Sequence, residues 1–341
     1  MTRYDQYDPE SFDRPRRHTR PRTKDRPSYD DAVPAVVVTV DRGRYTCRLD
    51  LPADSGRTEL LGGPGGGLIT AMKSRPLGRK GVVVGDRVRL VGDTSGADGS
   101  LARIVLVDPR STVLRRTADD DDPVERVIVA NAEQLVIVTA LADPEPRVGL
   151  IDRALVAAYD AGMEPLLCLT KADLATPDAL LAAYRPLGVD HVVTQRGGDV
   201  GELTARLHGR TSVMLGHSGV GKSTLVNALV PDAGREVGVV NAVTGRGRHT
   251  STSALMLSLP SGGWIVDTPG IRSFGLAHVQ PDVLITHFGD LTELTVSCPR
   301  GCTHGAGEPE CGLDDAEGQQ AERVQSFRRL LASREAGDAG W

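Results

Sequence analysis

The segment Gly216-His-Ser-Gly-Val-Gly-Lys-Ser-Thr224 has the residue types and spacing to hold a polyphosphate. It follows an apolar run, Ser212 to Leu215, that reads as a strand, and it opens an apolar helical run, Leu225 to Val230. A phosphate-binding loop requires that context. Its glycines let successive backbone N–H groups face one concavity, and the following helix adds its positive end. Lys222 is placed to reach β- and γ-phosphates, and the Ser223 hydroxyl to bind Mg²⁺. Asp267-Thr-Pro-Gly270 follows another strand, Trp264 to Val266. A carboxylate at a strand end can hold Mg²⁺ through water, and Gly270 can offer an unobstructed N–H to a γ-phosphate. Thr170-Lys171-Ala172-Asp173 ends a third strand. An Asp carboxylate accepts two hydrogen bonds from the N1 and N2 donors of guanine, a pair that adenine lacks. The Lys171 stem can lie over the base face. Alone, Asp173 reads as a helix cap and the D-x-x-G segment as a turn. The phosphate loop turns both toward nucleotide chemistry.

A second cluster is Cys298, Cys302, His304 and Cys311. Three thiolates and one imidazole make a closed Cys₃His set, which suits a structural zinc rather than a catalytic one. The intervening Pro and Gly let the ligands converge; reduced surface cysteines are the plain alternative. Cys47 and Cys168 sit in apolar strand contexts and read as buried. Five cysteines behind a polar, Arg- and Asp-rich start argue against a disulfide framework and a secretory signal.

The elements that must position these groups fall into blocks. Residues 1–33 read as a disordered basic arm, since Arg14 to Arg26 holds seven Lys or Arg and one acid. Its functional counterpart would be a clamp on nucleic-acid phosphates. Over 34–110, short β-branched runs (Ala35–Val40, Arg44–Leu49, Val82–Val84, Arg87–Val91, Leu101–Val107) predict a small barrel, an OB-fold being one candidate. The Leu61 to Gly67 run reads as a flexible breaker. Over 120–280 strands and helices alternate, which predicts a parallel sheet covered by helices, with a mobile Gly- and Arg-rich stretch at 231–252. Over 281–341 the metal cluster precedes a last helix, expected from Asp314 with Glu317 completing a capping box. The chain has 341 residues and a net charge of −5, so it carries no global footprint for nucleic acid. No run of 18 apolar residues predicts a membrane span. At 4% aromatic content, the chain has little with which to build a long base-stacking platform.

Order along the chain sharpens the reading. In Ras-like GTPases the phosphate loop comes first and the base motif late. Here the base motif (170–173) precedes the phosphate loop (216–224), and D-x-x-G (267–270) comes last. Circular permutation still assembles one site, because termini often lie close together. Over about residues 34–335 the chain resembles the circularly permuted GTPases, and among them the ribosome small-subunit-dependent GTPase A (RsgA) family. The resemblance implies an α/β fold. A circularly permuted P-loop GTPase domain would carry an N-terminal OB-like β-barrel and a C-terminal zinc-binding domain. It also implies hydrolysis of GTP to GDP and phosphate, stimulated by the small (30S) ribosomal subunit late in its maturation. The barrel and zinc domain would contact rRNA, in a cytoplasmic, monomeric protein without membrane partners. The implied nucleotide ligands are Thr170, Lys171, Ala172 and Asp173, then Gly216, His217, Ser218, Gly219, Val220, Gly221, Lys222, Ser223 and Thr224, then Asp267 and Gly270. Mg²⁺ would be held by Ser223 and Thr250, and one zinc by the Cys₃His set.

Three departures carry consequences. Ile271 stands where Ras-like proteins have a water-orienting Gln, so unaided turnover should be slow. The segment Gly245 to Thr252 resembles the family's switch. In it His249 is the candidate for orienting water, and an exposed loop histidine is the alternative; Arg246 and Arg248 read as phosphate contacts or as solvated residues. Thr170 replaces a common Asn that ties the base loop to the phosphate loop, which points to weaker nucleotide affinity. The second base-contact loop is assigned to Thr194-Gln195. Gaps of three and six residues between the outer metal ligands each differ by one from the family's. Two other readings remain: a GTP-dependent binding switch with little hydrolysis, and a P-loop ATPase or kinase, against which Asp173 argues.

Overall fold

The computed structural model describes residues 29–50, 67–77, 81–97, 99–119, 122–231, 233, 254–268, 276 and 279–335. Residues 1–28 of the basic arm, most of the Leu61 to Gly67 run and nearly all of 231–252 lie outside them; the arm's last residues, 29–33, are described, and Val33 already belongs to the first strand.

Five strands close the first unit: β1 (Val33–Asp41), β2 (Arg44–Leu49), β3 (Leu68–Lys73), β4 (Arg87–Gly92) and β5 (Ala102–Val107). They pair in the ring β1-β2-β3-β5-β4-β1, with only β3 and β5 parallel. Alternation drives closure. Val88 and Leu90 of β4 are buried, and Arg87, its first residue, faces out. Small and branched side chains (Ala35, Val37, Ile69, Ala71, Ala102, Ile104) fill the interior, as a narrow barrel requires. The expected strand at Val82–Val84 is not one; Val84 makes only an isolated bridge to Val129. Val83 is satisfied by a local turn instead, while Val84 O accepts from Ala130 N at 3.0 Å. The buried Asp86 carboxylate accepts from Val83 N at 2.8 Å and from Arg110 at 2.7 and 2.8 Å. A two-stranded ribbon, β6 (Val113–Asp119) with β7 (Asp122–Ala130), follows the barrel.

The second unit is a six-stranded sheet of β8 (Gln134–Ala140), β9 (Glu164–Thr170), β10 (Asp190–Val193), β11 (Thr211–Leu215), β12 (Leu255–Ser258) and β13 (Trp264–Asp267). The order is β10-β9-β8-β11-β13-β12, parallel except for the antiparallel β12. Both faces are covered, which is why β8 is buried at every position. Leu135 and Ile137 share one core with α1 (Val148–Asp160). Val136 and Val138 share the other with Leu203 and Leu207 of α3 (Gly201–Leu207) and Leu225 and Leu229 of α4 (Lys222–Leu229). Barrel and sheet are joined where Thr39 of β1 pairs with Leu255 of β12, and the Thr39 hydroxyl donates to Ala254 O at 3.1 Å.

The C-terminal region has α5 (Pro281–Ile285), α6 (Gly289–Leu294) and α7 (Gly318–Glu335). The last helix begins at Gly318, not at Asp314. Residues Gly312–Asp315 form a 3₁₀ turn, and Asp314 accepts from Arg328 at 2.7 Å instead of capping. Consecutive arginines of α7 face opposite ways. Arg328 Nε donates to His304 O at 3.2 Å. Arg329 pairs with the buried Asp152 of α1 at 2.9 Å and donates to Ala183 O of α2 (Asp178–Tyr184) at 3.0 Å. Phe327 of the same helix is buried edge-on against Phe288, 5.4 Å between centroids. No helix among the described residues is long and apolar enough to cross a membrane.

Cys47 and Cys168 are fully buried, and burial pushes both thiols from 9.0 up to about 12. Native protein should therefore leave both unalkylated at pH 8, and unfolding should expose both; alkylation of either in native protein would contradict the packing. The folded state holds these protons more tightly than the unfolded one. Their contribution to stability is complete below pH 9 and is lost as pH rises toward 12.

Candidate nucleotide site and metal cluster

The chain runs from β8 outward through β9 and β10, then returns to β11 on the other side of β8 and continues to β13. The crevice at the carboxyl ends of β8 and β11 is thus a topological switch point, where doubly wound sheets bind ligands. The phosphate loop leaves β11 there and enters α4. Gly216 is required by contact, since a Cβ on it would come 2.6 Å from Val138 O. Gly221 is required by conformation: it precedes α4 at φ +93.

Lys222, the first residue of α4, pairs with Asp267 Oδ1 at 2.9 Å and donates to Thr268 O at 3.3 Å. Asp267 ends β13, and buried Thr268 is fixed by its hydroxyl on Met214 O at 3.0 Å. One cation and one carboxylate therefore meet at the mouth of the loop, with Ser223 next along α4. This charge pair suits a magnesium-bound polyphosphate.

Thr170 ends β9 and is buried. Its hydroxyl lies 2.6 Å from Val220 O and 3.3 Å from Thr139 O, so its single proton goes to the phosphate loop. The expectation that Thr170 forgoes the tie made by Asn is corrected by this bond: a hydroxyl at the end of β9 spans the gap. Lys171 takes φ +59 and its Nζ donates to Asp143 O. Ala172 N donates to Thr194 O at 3.2 Å, and Thr194 N to Leu169 O at 2.7 Å, which stitches the loops after β9 and β10 together.

A cavity of about 440 Å³ joins these pieces. Thr170, Lys171 and Asp173 line one side, Thr194, Gln195 and Arg196 another, and Gly219, Gly221 and Thr224 the phosphate end. Its volume lies in the range of small-molecule sites, about 300–1,000 Å³. Segments 170–173, 194–195 and 216–224 thus meet in one place. Gly270, Ile271, Arg246, Arg248, His249 and Thr250 lie outside the described residues. His217 Nδ1 faces Ser218 O at 2.8 Å within the loop. Leu174 and Arg196 also line the cavity and were not singled out from sequence; a lone Leu or Arg in a polar loop carries no pattern.

The second cluster also converges. The ligand atoms of Cys298, Cys302, His304 and Cys311 all lie within 4.8 Å of one another. His304 Nδ1 is 3.7, 3.5 and 3.9 Å from the three sulfurs. A tetrahedral zinc with ordinary Zn–S and Zn–N lengths has N-to-S edges of about 3.6 Å, so the set fits zinc with Nδ1 as the imidazole ligand. Gly312 N donates to Cys298 Sγ at 3.2 Å, and the Arg328 bond to His304 O ties the loop to α7.

The model of the RsgA GTPase family matches residues 107–277. The small ribosomal subunit biogenesis GTPase RsgA of Pseudomonas syringae pv. tomato is 42% identical over 265 residues, 74% of this chain and 75% of that protein. Its counterpart in Pseudomonas fluorescens SBW25 is 40% identical over the same length. The chain belongs to the RsgA GTPase family. YjeQ from Thermotoga maritima superposes with a TM-score of 0.62 at 26% identity, covering 88% of this chain and 99% of YjeQ. YloQ, a circularly permuted GTPase, gives 0.62 at 21% identity, covering 91% and 98%, and shares the fold. This member of the RsgA family is accordingly a GTPase with a permuted α/β domain, a five-stranded barrel before it and a Cys₃His cluster after it.

Zinc in that cluster has a direct test. Purified protein should carry one zinc per chain, and strong chelation at neutral pH should remove it and make residues after 295 sensitive to protease. Unchanged protease resistance in metal-free protein would show that the cluster folds without an ion.

Proposed function

We propose that this chain hydrolyses GTP to GDP and phosphate during maturation of the small (30S) ribosomal subunit, and that the subunit stimulates the reaction. The observation that carries the GTP reading is the shared cavity. A carboxylate suited to guanine and a loop suited to phosphates, found in permuted order in sequence, face the same space. Asp173 would accept the guanine N1 and N2 protons. Backbone N–H groups of 216–221 and Lys222 would hold the β- and γ-phosphates, joined by Gly270. Mg²⁺ bound with GTP neutralises phosphate charge; Ser223 and Thr250 are the hydroxyls to hold it, with Asp267 acting through water.

Hydrolysis needs an oriented water more than covalent chemistry. Ile271 has no hydrogen-bonding group to supply, so His249 is assigned that task in a segment the subunit would order. The partner comes from the relatives, whose names state small ribosomal subunit biogenesis. Surface chemistry agrees with an RNA-bearing partner. Arg44, Met72 and Arg103 are exposed and sit in register across β2, β3 and β5, giving the barrel (34–110) a cationic row for phosphates. The zinc-bearing region (281–341), which follows the GTPase domain (120–280), would form the second contact. We assign the protein to the cytoplasm, as a monomer.

The test is GTP turnover with purified small subunits, large subunits or neither, with ATP as control. Small subunits alone should raise turnover by at least about tenfold. His249→Ala should lower the stimulated rate by about 10²-fold with little change in GTP affinity. Turnover that stays slow throughout, with GTP still bound tightly, would make the chain a GTP-dependent binding switch instead.

A further inference from the structure

We infer that Arg196 is the second wall of the base site, its guanidinium stacking on the guanine face opposite the Lys171 stem and setting nucleotide affinity. The inference rests on the GTP reading above and adds a residue to it.

The backbone brings Arg196 to the base end of the cavity. Thr194 is buried, and its N–H and carbonyl are both committed to the loop after β9, through Leu169 O and Ala172 N. The chain then turns: Gly198 N donates to Gln195 O at 3.1 Å, and Gly197 takes φ +70, which only glycine adopts without strain. A Cβ on Gly198 would approach Gln195 Cγ to 2.7 Å, so the turn is tight. Arg196 occupies its first corner, exposed and lining the cavity with Lys171 and Asp173.

Chemistry then selects the role. The other two cations here are occupied, Lys222 with Asp267 and Lys171 Nζ with Asp143 O. Among the described residues no hydrogen bond or ion pair holds the Arg196 guanidinium. Lys171 is fixed at both ends of its side chain, so its stem can cover one face of a base. Among the described residues lining the cavity none is aromatic. A planar, weakly hydrated guanidinium is the group present that can stack on the other face. The phosphate end, at Gly219, Gly221 and Lys222, lies with α4, whereas Arg196 belongs to the stitched base loops.

The experiment separates plane from charge. Full-length wild type, Arg196→Ala, Arg196→Lys and Arg196→Tyr are titrated with GTP and with GDP at low and high salt, and stimulated turnover is measured. Stacking predicts that Arg196→Ala raises Kd by about 3- to 30-fold. The factor should be equal for GTP and GDP and insensitive to salt, with KM raised and kcat unchanged at saturation. Arg196→Tyr, planar and uncharged, should restore most of the affinity, and Arg196→Lys, charged but not planar, should not. A larger loss for GTP than GDP that shrinks in salt and is rescued by Lys would overturn the inference and make Arg196 a phosphate attractor. No loss in Arg196→Ala would make it a solvated turn residue, with the GTP reading intact. Wild type that binds neither nucleotide would remove both.

Discussion

Parallel strands deliver their carboxyl ends to one edge, and every part of the nucleotide site depends on that constraint. β8, β9, β10, β11 and β13 run the same way, so the loops after them share one crevice whatever their order in the chain. A single cross-strand row shows the alignment: Thr39, Leu255, Asp267, Met214, Val136 and Leu166 lie in register from the barrel to β9. Permutation moves the chain ends and leaves this edge intact. The Thr170 hydroxyl on Val220 O then closes the distance between base loop and phosphate loop.

The flanking units are held to this sheet by specific polar joints rather than by flexible linkers. On one side Thr39 binds the carbonyl that leads into β12, and Asn131 Nδ2 donates to Gly85 O at 2.9 Å, tying the ribbon's end to the barrel. On the other, Arg328 and Arg329 link the metal loop to α1 and α2 from adjacent positions of α7. Breaking one partner of the buried Asp152–Arg329 pair would strand a carboxylate whose burial already raises its pKa. The α2 helix follows the base motif directly, so the C-terminal unit bears on the element next to Asp173.

Much of this was legible in sequence because the chemistry is local. The phosphate loop, Thr170 to Asp173, Asp267 and the Cys₃His set are contiguous motifs whose flanking runs place them on strand ends. What was not legible depends on partners far away in the chain. β3 is six residues with one threonine and a terminal lysine after a glycine run, and only pairing with β2 and β5 makes it a strand. In the ribbon of β6 and β7 the sequence from Arg115 to Arg126 is mostly charged, and among the described residues only Leu114, Val129 and Ala130 at its base are buried, too few to show an alternation. Val82 to Val84 looks like a strand by composition, but the Asp86 carboxylate takes its backbone donor. Asp314 has the sequence of a cap, yet Arg328 claims it from 14 residues away. Sequence compares Thr170 only with the Asn it replaces; the hydroxyl's reach to Val220 O depends on how β9 and the phosphate loop pack.

We propose that residues in permuted order form one guanine-nucleotide site in which Asp173 reads the base. The most direct measurement is nucleotide binding by Asp173→Asn, using GTP and XTP. An amide at this position can accept the N1 proton and donate to the xanthine 2-oxygen, but cannot accept both guanine protons. GTP affinity should fall by about 10²-fold, and XTP should bind more tightly than GTP. Unchanged GTP binding with no gain for XTP would contradict it, because the base would then be read somewhere other than Asp173.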